Sequence, residues 1–262
     1  MNLINIKDLN YFFSINKNTL NKINFNLNEN EKNIIIGSNG AGKTTMLKCI
    51  AGILKTDNKI QVDNNYVENI RNYTDLSTNL KDALHLSGDL RVKEFIKYHM
   101  ELKSVNPENG FLLLKYFNLY EIINNKISKL STGQEKLIYD IIALAPKSKI
   151  TILDEPVSDV DPKRSKLFID LINSRNDSFL ITSHDLSLIN LIKNSTLSIM
   201  LDGKLYGKII PGNKIFSLYI SEKLSGPSIM EIKNDDKIIY ITQEKDENSR
   251  PINKIEDLLY LY

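Results

Sequence analysis

The stretch "NIIIGSNGAGKTTMLKCIAGIL", residues 33–54, runs from an apolar segment through a glycine-rich turn into a helix-competent segment. Gly37, Ser38, Asn39, Gly40, Ala41, Gly42, Lys43 and Thr44 satisfy the phosphate-loop pattern GxxxxGK[ST] in full, in the strand, loop, helix order that its mechanism requires. The glycines let the backbone wrap closely, so that successive N–H groups and a helix N-terminus point at a β-phosphate. Lys43 adds charge, and the Thr44 hydroxyl suits Mg²⁺. From average residue frequencies the pattern arises by chance in on the order of one chain in a hundred of this length. The bland alternative is a glycine-rich turn; the stretch as it stands sets the expectation of a nucleotide-binding α/β protein.

Outward from the loop, two short apolar runs, "KITILDE" at 149–155 and "SFLITSH" at 178–184, flank the helical stretch "PKRSKLFIDLINSR", which is the βαβ rhythm of a parallel sheet. Asp154, Glu155 and His184 then stand at strand ends, where open parallel sheets present groups to ligands. Asp154 suits holding Mg²⁺ through a water, and Glu155 suits polarising a water for attack on a γ-phosphate. His184 can donate a hydrogen bond to phosphate as neutral imidazole, whereas His85 and His99 fall in a helical region and read as packing or solvated residues. Before the loop, "LINIKDL" and "INFNLNE" alternate apolar and polar residues as half-buried antiparallel strands do. From about residue 75 to 140 the pattern turns helical, with Val92, Phe95, Ile96 and Met100 on one face. Near the end, "SIMEIK" and "KIIYIT" joined by "NDD" read as a hairpin.

A second anion-binding turn, Ser131-Thr132-Gly133-Gln134, opens the helical run "QEKLIYDIIALA". As bare structure it is a capped helix; as function, its free N–H groups and the Ser131 hydroxyl could hold a phosphate. With 34 Lys and Arg against 32 Asp and Glu, the net charge of +2 gives no footprint for a nucleic acid, and none is expected as partner. The single Cys49 rules out an internal disulfide framework and fits a reducing compartment. The N-terminus lacks the apolar core of a signal peptide, and no run approaches the roughly 20 apolar residues that span a bilayer.

Taken in order, these motifs resemble those of the ATP-binding cassette (ABC) ATPases. "GSNGAGKT" is similar to the Walker A motif, "LSTGQ" to the signature, "ITILDEP" to Walker B with its glutamate, "SDVDP" to the D-loop and "LITSHD" to the switch histidine. The resemblance covers most of residues 1–210. It implies a P-loop NTPase fold: a RecA-like core with a mostly parallel sheet, an antiparallel β subdomain, and a helical subdomain at about 75–140. A C-terminal extension at 211–262 would add a hairpin and a short helix. It further implies ATP and Mg²⁺ as ligands. Gly37 to Thr44 and Thr45 would bind ATP, Lys43, Glu155 and His184 would act in catalysis, and Thr44 and Asp154 would hold the metal. Two copies would pair head to tail, so that Ser131, Gly133 and Gln134 touch ATP on the other copy and Asp161 bridges to it. An integral-membrane permease would hold the protein at the cytoplasmic face of the cell membrane.

The chain departs from the family at several points. No glutamine stands between Walker A and signature; Asp82 aligns best by its spacing to "LRVKEF" and is carried as a metal ligand in its place. From "LNYFFS" Phe13 fits the adenine-stacking position best, and Thr132 stands where the signature usually has glycine. A single cassette with a short extension looks most like the stand-alone ATPase subunits of bacterial exporters. Two alternatives stay open, a non-transport ABC ATPase and a weakly hydrolysing regulatory module.

Overall fold

The computed structural model describes residues 1–14, 17–69, 75–84, 89–210, 218–221, 228, 230–234, 237–242, 245, 249–252 and 257; the side chains at 13, 14, 17, 18, 230, 232–234 and 237 fall outside that description. The chain begins with two long antiparallel strands, β1 (Asn2–Ser14) and β2 (Lys17–Asn28). In β2 the expected alternation holds, with Ile23, Phe25 and Leu27 buried and the Asn residues between them exposed. Next come β3 (Lys32–Ile36), α1 (Lys43–Ile50), β4 (Ile60–Val62) and β5 (Asn65–Tyr66). Strands β2, β1, β4 and β5 form a four-stranded antiparallel sheet.

The middle of the chain supplies β6 (Leu76–Thr78), α2 (Val92–Leu102), α3 (Glu108–Tyr116) and α4 (Thr132–Leu144). Helix α2 buries Val92, Phe95, Ile96 and Met100, the face read from its periodicity. His99 lies on the same face, edge-on to Phe95, and burial pushes its imidazole down to about 4, so it is a neutral packing residue; His85 lies outside the described residues. Residues 76–78, expected within the helical run, are instead a strand. The segment "LST" is too short to show a period and is polar at two of three positions, so only its pairing reveals it.

Then follow β7 (Ile150–Asp154), α5 (Pro162–Ser174), β8 (Ser178–Ser183), α6 (Leu188–Leu191), β9 (Ser195–Leu201) and β10 (Lys204–Ile209). The central sheet has the order β10-β9-β3-β8-β7-β6. From β9 to β6 all pairings are parallel, and β10 is an antiparallel edge. Alternate residues of its strands feed two cores: Ile34, Ile36, Leu153, Phe179 and Ile181 face the helical side, and Ile35, Ile152 and Leu180 face α1 and the N-terminal sheet. Strands β11 (Leu218–Ser221), β12 (Met230–Asn234), β13 (Lys237–Thr242) and β14 (Arg250–Ile252) form a last antiparallel sheet, in which β12 and β13 are the expected hairpin. Leu218, Ile220, Ile239 and Ile241 join the core of the helical side. The short helix expected after it lies outside the described residues except for Asp257.

Candidate functional site

Parallel pairing places the ends of β3, β8, β7 and β6 on one edge, because Ile36 pairs with Ser183, Asp154 with Thr182 and Thr78 with Ile152. The phosphate loop, His184, Glu155 and Asn79 therefore emerge side by side. The loop leads into α1, whose N-cap Gly42 makes no side-chain capping bond. The first N–H groups of α1 thus lack a cap, which suits an anion. Gly40 and Gly42 stand at φ +83° and +107°, and a Cβ on Gly42 would come within 2.8 Å of the Thr19 carbonyl oxygen, so a larger residue there meets both strain and backbone. Lys43 is buried and its Nζ donates to the carbonyl oxygens of Gly37 and Ser38, at 2.5 and 3.1 Å.

The same ammonium lies 3.2 Å from Glu155 Oε1. That oxygen is buried, has no hydrogen-bond partner, and has the Lys43 ammonium as its ionic neighbour. Glu155 Oε2 lies 2.8 Å from His184 Nδ1 and accepts from the His184 N–H at 3.3 Å. Glu155 itself sits at φ +49°, a left-handed conformation that costs a non-glycine residue on the order of 1 kcal/mol. Asp154 is gripped from both sides: Thr182 Oγ1 donates to Oδ1 at 2.5 Å and Thr44 Oγ1 donates to Oδ2 at 2.7 Å. Thr44 and Asp154 together offer the all-oxygen donor set that Mg²⁺ takes. Lys43, Glu155 and His184 are brought together as read from sequence, and so are Thr44 and Asp154.

Asp82 is not drawn into that set. The 3-10 turn Lys81–Ala83 carries it toward α1, where its Oδ2 lies 2.8 Å from Lys48 Nζ. The residue that closes β6 onto Asp154 is Asn79, whose Oδ1 accepts from the Asp154 N–H at 2.8 Å. Asp82, Asn79, Thr44 and Asp154 nonetheless line one cavity of about 340 Å³, together with Thr132, Lys136 and Tyr139 from α4. Asn79 carries no motif signal, since "STN" is mute until β6 is seen to pair with β7, and Thr182 lies within "LITSHD", where the reading singles out His184 alone.

At the signature turn, Ser131 Oγ accepts from the Gln134 N–H at 3.3 Å while Gln134 Oε1 accepts from the Ser131 N–H at 3.1 Å. This is a capping box, so both side chains serve α4 within the chain. A Cβ on Gly133 would stand 2.5 Å from the Asp159 carbonyl oxygen, and Lys136 Nζ donates to Ser158 Oγ, so the signature helix and the D-loop clasp each other. Asp161 is expected to bridge to a second copy; within the chain its Oδ1 caps α5 through the Arg164 N–H at 3.1 Å and its Oδ2 pairs with the Arg164 guanidinium. The Phe13 side chain lies outside the described residues; neighbouring Phe12 is exposed.

Comparison with known proteins agrees with this geometry. The profile of the family described as ABC transporter matches residues 20–158. A zinc import ATP-binding protein, ZnuC of Ehrlichia canis, is 29% identical over 231 residues, covering 84% of this chain and 90% of its own. A probable iron chelatin transport ATP-binding protein of Helicobacter pylori is 27% identical over 254 residues, covering 90% of this chain and 98% of its own. A solved structure described as a putative cobalt transport ATP-binding protein superposes with a TM-score of 0.88 at 28% identity, over 99% of this chain and 100% of its own. Because the profile match spans more than half of the 262 residues and the likeness in fold runs from end to end, this protein belongs to the ABC transporter family.

Proposed function

We propose that the chain is the ATP-hydrolysing subunit of a transporter whose bilayer-spanning part is a separate permease, and that two copies close around two MgATP. ATP binding and hydrolysis are the work of this family's nucleotide-binding subunits, and the chain is an ATPase of that kind. Among the described residues no helix is long and apolar enough to cross a membrane, which supports an anchoring permease at the cytoplasmic face of the membrane. The single observation that carries the catalytic reading is the line Lys43, Glu155, His184, in which one carboxylate is held at both oxygens by cationic or imidazole partners.

In this reading the N–H groups of the loop and of the first turn of α1 receive the triphosphate, those of Gly37 and Ala41 staying on the carbonyl oxygens of Ser183 and Ser38, and the Lys43 ammonium leaves Glu155 for phosphate oxygens. Glu155 Oε1, already without a hydrogen-bond donor, is then free to take a proton from the attacking water, while His184 keeps Oε2 and fixes the rotamer. Thr44 and Asp154 would hold Mg²⁺, which would offset charge on the β- and γ-phosphates. Ser131, Gly133 and Gln134 of a second copy would close over the γ-phosphate, with the N-terminus of α4 supplying positive potential. The expectation of export is not carried forward: ZnuC is named for import, and inward transport is the direction we adopt. The full-length Glu155→Gln variant should lose about a hundredfold or more in turnover and bind ATP within about threefold of wild type. Lys43→Ala should lose ATP binding itself. Wild-type turnover in either variant would sink this assignment.

A further inference from the structure

Asn79 follows β6 at the sheet edge, and its amide is engaged at both ends. Its Oδ1 accepts from the Asp154 N–H at 2.8 Å, and its Nδ2 donates to the Asp154 carbonyl at 3.2 Å and to Asp140 Oδ1 at 2.6 Å. The first two bonds copy the reciprocal exchange of a strand pair, made by a side chain onto the residue where β7 ends. They extend the β6–β7 pairing by one residue, beyond the Asn79 N–H, which donates to Ile152 O. The third bond reaches α4, whose first turn is the signature.

Asp140 is fully buried on α4, whose other buried residues are Leu137, Ile138, Ile141, Ile142, Ala143 and Leu144. Its Oδ2 is buried without a hydrogen-bond partner. A buried polar atom left unsatisfied costs on the order of 1–3 kcal/mol, and an isosteric leucine would avoid that cost. The Asp140 carboxyl accepts, at Oδ1, the hydrogen bond from Asn79 Nδ2. A costly group that makes its contact with the residue gripping Asp154 is explained if that grip matters to the chemistry.

We propose that Asn79 is a positioning residue for ATP hydrolysis, locked to the signature helix by Asp140, and that it sets the backbone at Asp154 and Glu155 and so aims both carboxylates at the phosphate site. The inference rests on the roles proposed above for Asp154 and Glu155. Asn79 acts through the peptide groups of residue 154, to which both ends of its amide are bonded. The left-handed backbone at Glu155 is the part that needs such a brace, because a strained conformation persists only where its surroundings over-determine it. A shift of α4 is thereby passed to the acid pair through Asp140 and Asn79, so the signature turn and the hydrolytic carboxylates of one chain move together.

The test uses the full-length chain as Asn79→Ala, Asp140→Leu, Asp140→Asn and the double variant Asn79→Ala/Asp140→Leu. Steady-state ATP turnover is measured with Mg²⁺, and ATP binding is measured without divalent cation. Asn79→Ala is expected to lower kcat about tenfold or more while KM and ATP affinity stay within about threefold, as misaimed groups do. Asp140→Leu should lose kcat similarly, whereas Asp140→Asn, which keeps an acceptor oxygen toward Asn79, should stay within about threefold of wild type. The double variant should be no slower than Asn79→Ala alone, because Asp140 acts through Asn79. If Asp140→Leu does not fold, Asp140→Ala takes its place with the same expectation. Wild-type kcat in Asn79→Ala, equal damage from Asp140→Asn and Asp140→Leu, or multiplicative losses in the double variant would each overturn the proposal. Glu155→Gln run in parallel separates the two levels: if it stays active the site reading fails, and if it is dead while Asn79→Ala is unimpaired the brace alone fails.

Discussion

Asp140 is the residue whose protonation makes a prediction of its own. Burial pushes its carboxyl up from 3.8 to about 8, and the bond from Asn79 and the charge of Lys136 pull only partly back. The folded state therefore holds a proton that the unfolded chain releases between those values, so stability falls as pH rises from about 4 to about 8. Asp140→Asn removes that term. Its stability relative to wild type should rise between pH 5 and pH 8 by on the order of a few kcal/mol, and chemical denaturation at the two pH values measures the difference. A relative stability that is flat across that range would show that Asp140 ionises freely. Gly133 offers a second prediction at this scale. Because its missing Cβ leaves room for the Asp159 carbonyl, Gly133→Ala should cost about 1–3 kcal/mol and slow turnover, with ATP binding by the monomer unchanged within about threefold. Loss of monomer binding would show that the signature serves its own phosphate loop. Lys43, Thr44, Asp154, Glu155 and His184 were legible because each sits at a fixed offset from a glycine or a strand end. Asn79, Thr182 and Asp140 were not, since their partners lie 75, 28 and 61 residues away in the chain.

At the scale of elements, a helix cap and one guanidinium fix the D-loop helix within the chain. Asp161 caps α5, and Arg164 donates to the carbonyl oxygens of Phe117 and Asn118 just past the end of α3, both at 3.0 Å, so one guanidinium ties the D-loop helix to the helical layer. Asp161→Ala should cost about 1 kcal/mol as a lost N-cap, and Arg164→Ala about 1–2 kcal/mol by freeing two carbonyls that end a helix. Urea midpoints would measure both, and equal stability in Arg164→Ala would show the tie to be idle. The amphipathic α2 and the N-terminal strands were readable from period, because each has one wet face and one dry face, and the βαβ unit from its short apolar runs, because β7 and β8 are buried on both faces. Strand β6 was not: it lies in a sheet and carries too few residues to display a period.

At the scale of the whole molecule, the parallel sheet gathers the candidate nucleotide groups on one edge. The phosphate loop, acids and histidine share that edge, and of the signature turn Thr132 lines the cavity that holds Thr44 and Asp154, while Ser131, Gly133 and Gln134 do not. A second copy supplying that turn is the arrangement the proposed function requires. Glu155→Gln should elute as a monomer without ATP and as a dimer with it, and adding Gly133→Asp should keep it monomeric in both conditions. An ATP-independent monomer in Glu155→Gln alone would contradict head-to-tail closure.

The amino-acid sequence by itself determined the phosphate loop, the order of the motifs and the layers of the fold. Those depend on local backbone needs, glycine at close turns and alternation across two core faces, and local needs leave a trace in neighbouring residues. Only the tertiary structure decided what holds the acids in place. Parallel pairing set Asn79 beside Asp154 and α4 packing set Asp140 behind Asn79, and it turned Asp82 and Asp161 to local partners. A hydrogen bond needs its two groups within about 3 Å, and which groups meet at that distance follows from sheet order and helix packing, on which adjacent letters carry no information.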